Sequence, residues 1–133
     1  MIYKSKKILS EISAGELLDK ITILEIKLEK VIDKNSRDEV KKEYKILKEI
    51  QNSSIKLEDD IKDLFKSIKE VNLNLWEVED NLRICEKNKD FGKKFIELAR
   101  KVYLNNDKRS KIKSKINKIL GSNIKEIKQY VNY

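Results

Sequence analysis

The chain has 133 residues, of which 41% are charged, and it contains three glycines and no proline. This composition favours long helices in one domain, residues 1–133, over a sheet with many turns. The sequence has no histidine and a single cysteine, Cys85, so it excludes a Cys/His zinc site, an internal disulfide bond and a catalytic Ser-His or Cys-His pair. We therefore expect an all-α protein without a metal or another cofactor, in which any catalysis would rest on carboxylates, Lys, Tyr or Arg.

The formal net charge of +8 is distributed unevenly. Residues 1–86 hold 17 Lys/Arg against 19 Asp/Glu, whereas residues 87–133 hold 14 against 4. The basic character therefore belongs to the C-terminal third. No apolar run approaches the length of a membrane-spanning helix, and the N-terminal sequence MIYKSKKILSEIS lacks the apolar core of a signal peptide, so we expect a cytoplasmic protein.

The first predicted helix begins at SAGE, where the Ser13 hydroxyl can accept a hydrogen bond from the Glu16 amide in a capping box. The apolar seam that follows has spacings of 4, 3, 4 and 3, which are typical of a helix paired with another helix. It consists of Leu17, Ile21, Leu24, Leu28 and Val31, and it resumes at Val40, Tyr44 and Leu47. The seam loses register at DKNSR, residues 33–37, where we predict a kink or a short turn, and a second capping box formed by Ser36 and Glu39.

A longer apolar seam, with spacings that alternate between 4 and 3, runs from Leu57 to Cys85. Its members are Leu57, Ile61, Leu64, Ile68, Val71, Leu75, Val78, Leu82 and Cys85. QNSS, residues 51–54, separates the two seams and consists of residues that favour turns. A chain reversal there pairs Leu17 with Cys85 and predicts a long, kinked, coiled-coil-like antiparallel hairpin over residues 13–88. Three separate helices are the alternative.

Two shorter C-terminal helices are predicted within residues 90–120. Asp90 can cap the first, while NND begins the second, which is basic and ends at Gly121. The tail, residues 121–133, contains NIKEIKQYV, which fits either a short helix or a strand paired with KKILSEIS, residues 6–13. Both alternatives stay open, and in the second a minor two-stranded element joins the two ends of the fold.

A narrow polar row interrupts the apolar surface of the helix that carries the longer seam. Its members lie within about 60° of one another, between two apolar arcs, and are Asn72, Trp76, Glu79 and Arg83. Three more charged residues lie on faces that are otherwise apolar, namely Glu25, Asp80 and Arg109. Since an isolated buried charge costs several kcal/mol, these residues predict partners inside the protein.

Two interpretations of the polar row remain. The first is a structural network of hydrogen bonds and ion pairs. The second is a small cleft for an anionic or sugar-like ligand, such as a nucleotide or a sugar phosphate, with Trp76 as a stacking wall and the arginines as anion clamps. The candidate ligand-binding residues are Asn72, Trp76, Glu79, Asp80, Arg83, Arg109 and Lys113. The acidic residues match no catalytic template, so we assign no catalytic residue, and binding is favoured over catalysis.

The basic stretch KRSKIKSKINK, residues 108–118, has six cations and no acid. As a helix, it places four lysines opposite its isoleucines, which predicts a surface for nonspecific binding of nucleic acid or of an acidic membrane. These candidate polyanion-binding residues are Lys108, Lys111, Lys115 and Lys118. The alternative is a solvated face of a lysine-rich protein.

Two stretches carry a resemblance: SAGELLDKITILEIK, residues 13–27, and the region from VNLNLWEVEDNLRICE to KRSKIKSKIN, residues 71–117. Together with the tail sequence GSNIKEIKQY, they resemble a family of small uncharacterised helical proteins of bacteria and phages, sometimes associated with surface-polysaccharide and glycosyltransferase genes. The resemblance implies a link with envelope-sugar synthesis ahead of nucleic acid, and it implies no activity. We expect a non-catalytic binding or assembly protein that forms a homodimer or contacts a helical partner.

Overall fold

The computed structural model describes residues 5–133. It consists of four helices, which are α1 (Ala14–Lys30), α2 (Lys34–Ser54), α3 (Asp59–Lys87) and α4 (Lys93–Ile119). Residues 5–133 contain no strand. The all-α class predicted from the composition is therefore confirmed. None of the four helices combines the length and the apolar character that a membrane crossing requires.

Side chains at the first two helix starts explain where α1 and α2 separate. The Ser13 hydroxyl accepts from the Glu16 amide at 3.2 Å, as predicted. Asp33, rather than Ser36, caps α2, because its carboxylate accepts from both the amide and the hydroxyl of Ser36 at 2.9 and 2.8 Å. The prediction of a Ser36–Glu39 capping box was wrong, since Ser36 already lies inside the helix.

Of the two predicted alternatives, the break after α1 is the short turn, and it reverses the direction of the chain. The Arg37 guanidinium donates to the carbonyl oxygens of Leu28 and Val31, and it thereby satisfies acceptors that a helix C-terminus leaves free. Helix α2 consequently runs back along α1, where the Tyr44 hydroxyl donates to Glu25. Helices α1 and α2 form one antiparallel hairpin with each other. They do not form one side of the longer hairpin that was predicted over residues 13–88.

The long seam of α3 is buried where the sequence predicts, but its partners differ. Ile61, Ile68, Val71, Val78 and Cys85 are all buried. Their neighbours come from α1 and from α4, which returns antiparallel to α3, and α1 packs against all three other helices. The predicted pairing of Leu17 with Cys85 was therefore wrong.

Helix α4 is continuous through the NND sequence, where two helices were predicted. The Asn105 side chain donates to the Lys101 carbonyl one turn earlier at 2.8 Å, so its amide has a partner within a helix. Asp90 accepts from the Gly92 amide ahead of the helix and does not cap it. Gly121, with φ of +61°, follows the end of α4 as predicted.

The tail and the N-terminal segment meet without forming a sheet. The Asn123 side chain donates to Glu11 at 2.9 Å, whereas residues 6–13 and 123–131 have no strand conformation. The predicted two-stranded element is therefore not present. Glu126 and Tyr133 bind side chains of α4 instead, so the tail follows α4.

Helices α3 and α4 are longer than α1. In one part of their length, α3 and α4 therefore pack on each other without a third helix. Helix α1 has 17 residues, against 29 in α3 and 27 in α4, which corresponds to about 25 Å against about 40 Å. The apolar cluster of Val78, Cys85 and Leu98 contains residues of α3 and α4 only. We call the hairpin over residues 78–102 the arm.

Candidate functional site

An open cleft lies where the arm leaves α1. It has a volume of about 400 Å³ and is formed by α1, α3 and α4. Six of the seven predicted ligand-binding residues line it, and the full lining is Ile23, Ile26, Asn72, Leu75, Trp76, Glu79, Asp80, Arg83, Asn106 and Arg109. The residues from α3 and α4 that line the cleft are up to 37 positions apart in the sequence. They come together because the two helices run antiparallel.

One side of the cleft is apolar. Ile23 and Ile26 of α1 face the cleft together with Leu75 and the half-buried indole of Trp76. A pocket with apolar walls and a few polar groups is the usual form of a small-molecule site. Trp76 is the only tryptophan of the chain, so its fluorescence reports on this cleft alone.

A buried hydrogen-bond network lies behind the polar side of the cleft. The Asn72 side chain donates to the carboxylate of Asp19 and to the hydroxyl of Thr22, both at 2.8 Å. The Thr22 hydroxyl in turn donates to the backbone carbonyl of Asp19 at 2.7 Å. Asp19 is 2% exposed, so its charge requires partners inside the protein.

Arg109 stands between this network and the open cleft. Its Nε lies 3.7 Å from an Asp19 carboxylate oxygen, which is an ion-pair distance but longer than a hydrogen bond. Within residues 5–133 its guanidinium forms this ion pair and no hydrogen bond. A guanidinium carries five N–H donors, and those of Arg109 are therefore available to an anion in the cleft.

The rim of the cleft carries an exposed ion pair. Arg83 donates to the Glu79 carboxylate one helical turn earlier, and its side chain is 71% exposed. Arg83 of the predicted polar row is therefore exposed to solvent. Asp80 is also exposed, and within residues 5–133 it forms no ion pair. Surface pairs of this kind contribute about 0.5 kcal/mol to stability.

Lys113, the seventh predicted residue, lies outside the cleft. Its ammonium donates to Glu16 at 2.6 Å and to Glu126 at 2.9 Å, and it lies 3.9 Å from Asp19. Burial lowers the pKa of Lys113, but the two hydrogen bonds outweigh burial and raise this pKa above its usual value. The hydrogen bond from Lys113 holds the pKa of Glu126 below its usual value. Lys113 thus holds the tail against the fold.

Glu25 also has a structural role, as the first interpretation of the polar residues predicts. Its carboxylate lies 3.1 Å from the Lys69 ammonium and accepts from the Tyr44 hydroxyl at 3.3 Å. These contacts tie α1 to α2 and α3 at a place that does not line the cleft. The structural network is therefore present behind the cleft and beside it, whereas ligand binding in the cleft stays a prediction.

The predicted polyanion-binding lysines form an exposed strip along α4. Lys108, Lys111, Lys115 and Lys118 are all exposed, as expected for the side opposite the buried Ile116. No group of three or more acidic or cysteine side chains in residues 5–133 is arranged to hold a metal ion.

A comparison with known protein families matches residues 8–132 to a family of unknown function, DUF6165. The chain belongs to the DUF6165 family. Comparisons with curated proteins and with solved structures found no match. The DUF6165 match includes every residue that lines the cleft as well as most of the tail, so the site is a part of the family's own domain.

Two polar residues at this DUF6165 site were not predicted, Asn106 in the lining of the cleft and Asp19 in the network behind it. Asp19 follows the buried Leu18, and its position between Leu18 and Thr22 on the inner face of α1 was the available signal. Asn106 was assigned to a helix start in NND, although it lies one turn before Arg109 on α4. Continuing the helix through NND would have placed Asn106 next to the predicted site.

Proposed function

We propose that the protein binds a small ligand that contains a ring and an anionic group, and that the cleft around Trp76 is its binding site. The observation that carries this proposal is that Arg109 and Trp76 line the same open cleft, while the guanidinium of Arg109 forms no hydrogen bond within residues 5–133. A nucleotide or a sugar phosphate fits this description.

The apolar wall suits the ring. Trp76 and Leu75 offer a flat apolar surface, and aromatic side chains contribute strongly to the binding of ring-shaped ligands. The amide of Asn106 and the carboxylate of Asp80 stand at the same cleft. Amide and carboxylate oxygens accept hydrogen bonds from hydroxyl groups, so the polar lining suits a ring with hydroxyl groups.

The arginines suit the anion. Guanidinium groups bind phosphate and carboxylate through two parallel hydrogen bonds. Arg109 is the principal anion-binding residue in this proposal, since Asp19 is 3.7 Å from its Nε and leaves its other donors open. Arg83 is the second, since an exposed pair with Glu79 costs little to break.

Titration of Trp76 fluorescence with a panel of sugar phosphates and nucleotides tests the proposal, with calorimetry as a second measurement. We expect a saturable change with at least one member of the panel. Arg109→Gln should weaken this binding roughly tenfold or more, because a charge-assisted bidentate contact is lost. Arg100→Gln is the matched control, since Arg100 is an exposed arginine of the same helix outside the cleft.

The proposal is wrong if no compound of the panel changes either the fluorescence or the heat. It is also wrong if Arg109→Gln and Arg100→Gln alter binding equally while both variants keep the helical circular dichroism of the original protein.

A second candidate function is nonspecific polyanion binding by the exposed strip of Lys108, Lys111, Lys115 and Lys118. Phosphate contacts of lysine release counterions, so affinity for duplex DNA or for vesicles with acidic lipids should fall steeply with salt. Replacing Lys111, Lys115 and Lys118 by glutamine should reduce both the affinity and this salt dependence. Unchanged binding by the triple variant would exclude the lysine strip as the polyanion-binding surface.

Assembly and cellular context stay proposals. We propose a homodimer or a complex with a helical partner, which light scattering at high protein concentration tests. The link with envelope-polysaccharide synthesis that the family resemblance implies is compatible with a sugar phosphate as ligand, and binding of a sugar phosphate in the titration above would support it.

A further inference from the structure

A second cavity shares part of its lining with the Trp76 cleft. It has a volume of about 680 Å³ and lies between α4 and the tail. Asn106 and Arg109 line both cavities. The Arg109 guanidinium, which the proposed function assigns to an anion, therefore borders both cavities.

We infer that the two cavities form one site for a two-part ligand, a nucleoside diphosphate joined to a second ring with hydroxyl groups, as in a nucleotide sugar. Arg109 binds the diphosphate at the centre, the hydroxyl-bearing ring lies against Trp76, and the nucleobase lies against the tyrosines of the tail. This inference rests on the proposed function and specifies its ligand.

Several contacts hold the tail in the position that forms the second cavity. Glu126 binds the Lys113 ammonium at 2.9 Å. The Tyr133 hydroxyl donates to Asp107, and the Tyr133 ring packs edge-to-face on Tyr103 with 5.7 Å between the ring centroids. The wall of the cavity is thus attached to α4 at two separated points.

The aromatic content of this wall points to a nucleobase. Tyr103, Tyr130 and Tyr133 line the cavity, and Tyr130 is 73% exposed. Stacking of a base on an aromatic side chain contributes about 1–3 kcal/mol. Tyr130 forms no aromatic pair within residues 5–133, so its ring faces are available.

The charged residues of the two cavities indicate which part of the ligand lies in which cavity. The tail cavity contains the cations Arg109 and Lys128, and its acid, Asp107, already accepts from Tyr133. The Trp76 cleft has Glu79 and Asp80 beside its arginines. Carboxylates repel phosphate but accept hydrogen bonds from hydroxyl groups, so the phosphates belong at Arg109 and toward Lys128, and the hydroxyl-bearing ring belongs in the Trp76 cleft.

Calorimetry with UDP-glucose and GDP-mannose, compared with UDP, GDP and glucose 1-phosphate, tests this two-part site. Because linked groups that bind adjoining sites gain effective concentration, we expect a nucleotide sugar to bind roughly 100-fold more tightly than either of its halves. NAD⁺ serves as a ligand with a second nucleoside in place of the sugar. Stronger binding of NAD⁺ than of both nucleotide sugars would overturn the assignment of a sugar to the Trp76 cleft.

Tyr130→Ala tests the nucleobase half of the site independently of the sugar half. This variant should bind nucleotide sugars and free nucleotides roughly tenfold more weakly, since one stacking contact is lost. Its affinity for glucose 1-phosphate should be unchanged. Phe91→Ala is the matched control, because Phe91 is a comparably exposed aromatic residue at the end of the arm.

Failure of this inference and failure of the proposed function give different results. If glucose 1-phosphate or a nucleotide alone binds as tightly as the nucleotide sugars, or if Tyr130→Ala has no effect, the two-part site is wrong and the Trp76 site stands. If none of these compounds produces a heat or a change in Trp76 fluorescence, both are wrong.

Discussion

The Asn72 side chain of α3 donates a hydrogen bond of 2.8 Å to the buried carboxylate of Asp19 in α1. The same carboxylate lies 3.7 Å from Arg109 and 3.9 Å from Lys113 of α4. One acid therefore joins three helices directly behind the proposed ligand site. Because a buried charge that loses its partners is costly, this acid fixes the relative position of α1, α3 and α4.

Replacement of Asp19 by asparagine keeps the shape of the side chain and removes its charge. We expect a loss of about 3 kcal/mol in the free energy of unfolding, because two cations lose a buried partner. Urea denaturation followed by circular dichroism measures the change. Asp38→Asn, at an exposed position of α2, should change stability by less than about 0.5 kcal/mol. Equal effects of the two substitutions would contradict the role given to Asp19.

Gly15 is required by the close contact between α1 and α4. Its amide donates to the Asn117 side chain at 2.7 Å, and a Cβ at this position would lie 2.6 Å from the Lys113 carbonyl oxygen. Backbone atoms cannot easily move aside, so Gly15→Ala should destabilise the protein by about 2 kcal/mol. At Gly92 a Cβ would meet only the Asp90 carboxylate at 3.4 Å, and Gly92→Ala should have the smaller effect in the same thermal denaturation measurement.

Attachment of the tail should depend on pH. The pKa of Glu126 is lowered by Lys113, so their ion pair contributes stability above the usual glutamate pKa of about 4.3 and loses it as the pH falls through the lowered value. The pKa of Lys113 is raised, so stability is complete below the usual lysine pKa of about 10.4 and is lost as the pH rises through the raised value.

NMR titration of the Glu126 carboxyl carbon measures the loss of this ion pair at low pH. Its midpoint should lie below the usual glutamate value in the original protein, and it should rise in a Lys113→Met variant. A midpoint that is the same in both proteins would show that the pair does not hold the tail.

Cys85 should report on opening of the arm. Its thiol is 2% exposed, between α3 and α4, and a buried thiol reacts only when the structure around it opens. A thiol reagent should therefore modify Cys85 roughly 100-fold more slowly than a cysteine introduced by Glu86→Cys at the neighbouring exposed position. Similar rates for the two thiols would mean that the arm is open in solution.

Local patterns in the sequence predicted much of the fold. The 4-3 spacing from Leu57 to Cys85 identified the buried side of α3, since a helix has the same period whatever packs on it. Ser13 identified the start of α1, because a cap involves only neighbouring residues. The partner of the seam could not be predicted, because α1, α2 and α4 all carry apolar faces and periodicity does not distinguish among them.

The candidate site was predictable for a similar reason. Asn72, Trp76 and Glu79 share one side of α3, so any partner helix would bring them to the same place. Lys113 was misplaced because its partner Glu126 lies in a segment without regular structure, where spacing gives no information. The tail cavity was not predicted at all, since it depends on contacts between that segment and α4.

The contact between Gly15 and Asn117 also has a consequence for the order of folding. These residues are 102 positions apart, so the face of α1 that packs on α4 stays uncovered until α4 has been synthesised. Helices α3 and α4 adjoin along the chain, and contacts of this local kind form early. Nascent chains that stop short of α4 would therefore expose the apolar side of α1, the kind of surface that chaperones bind and that leads to aggregation.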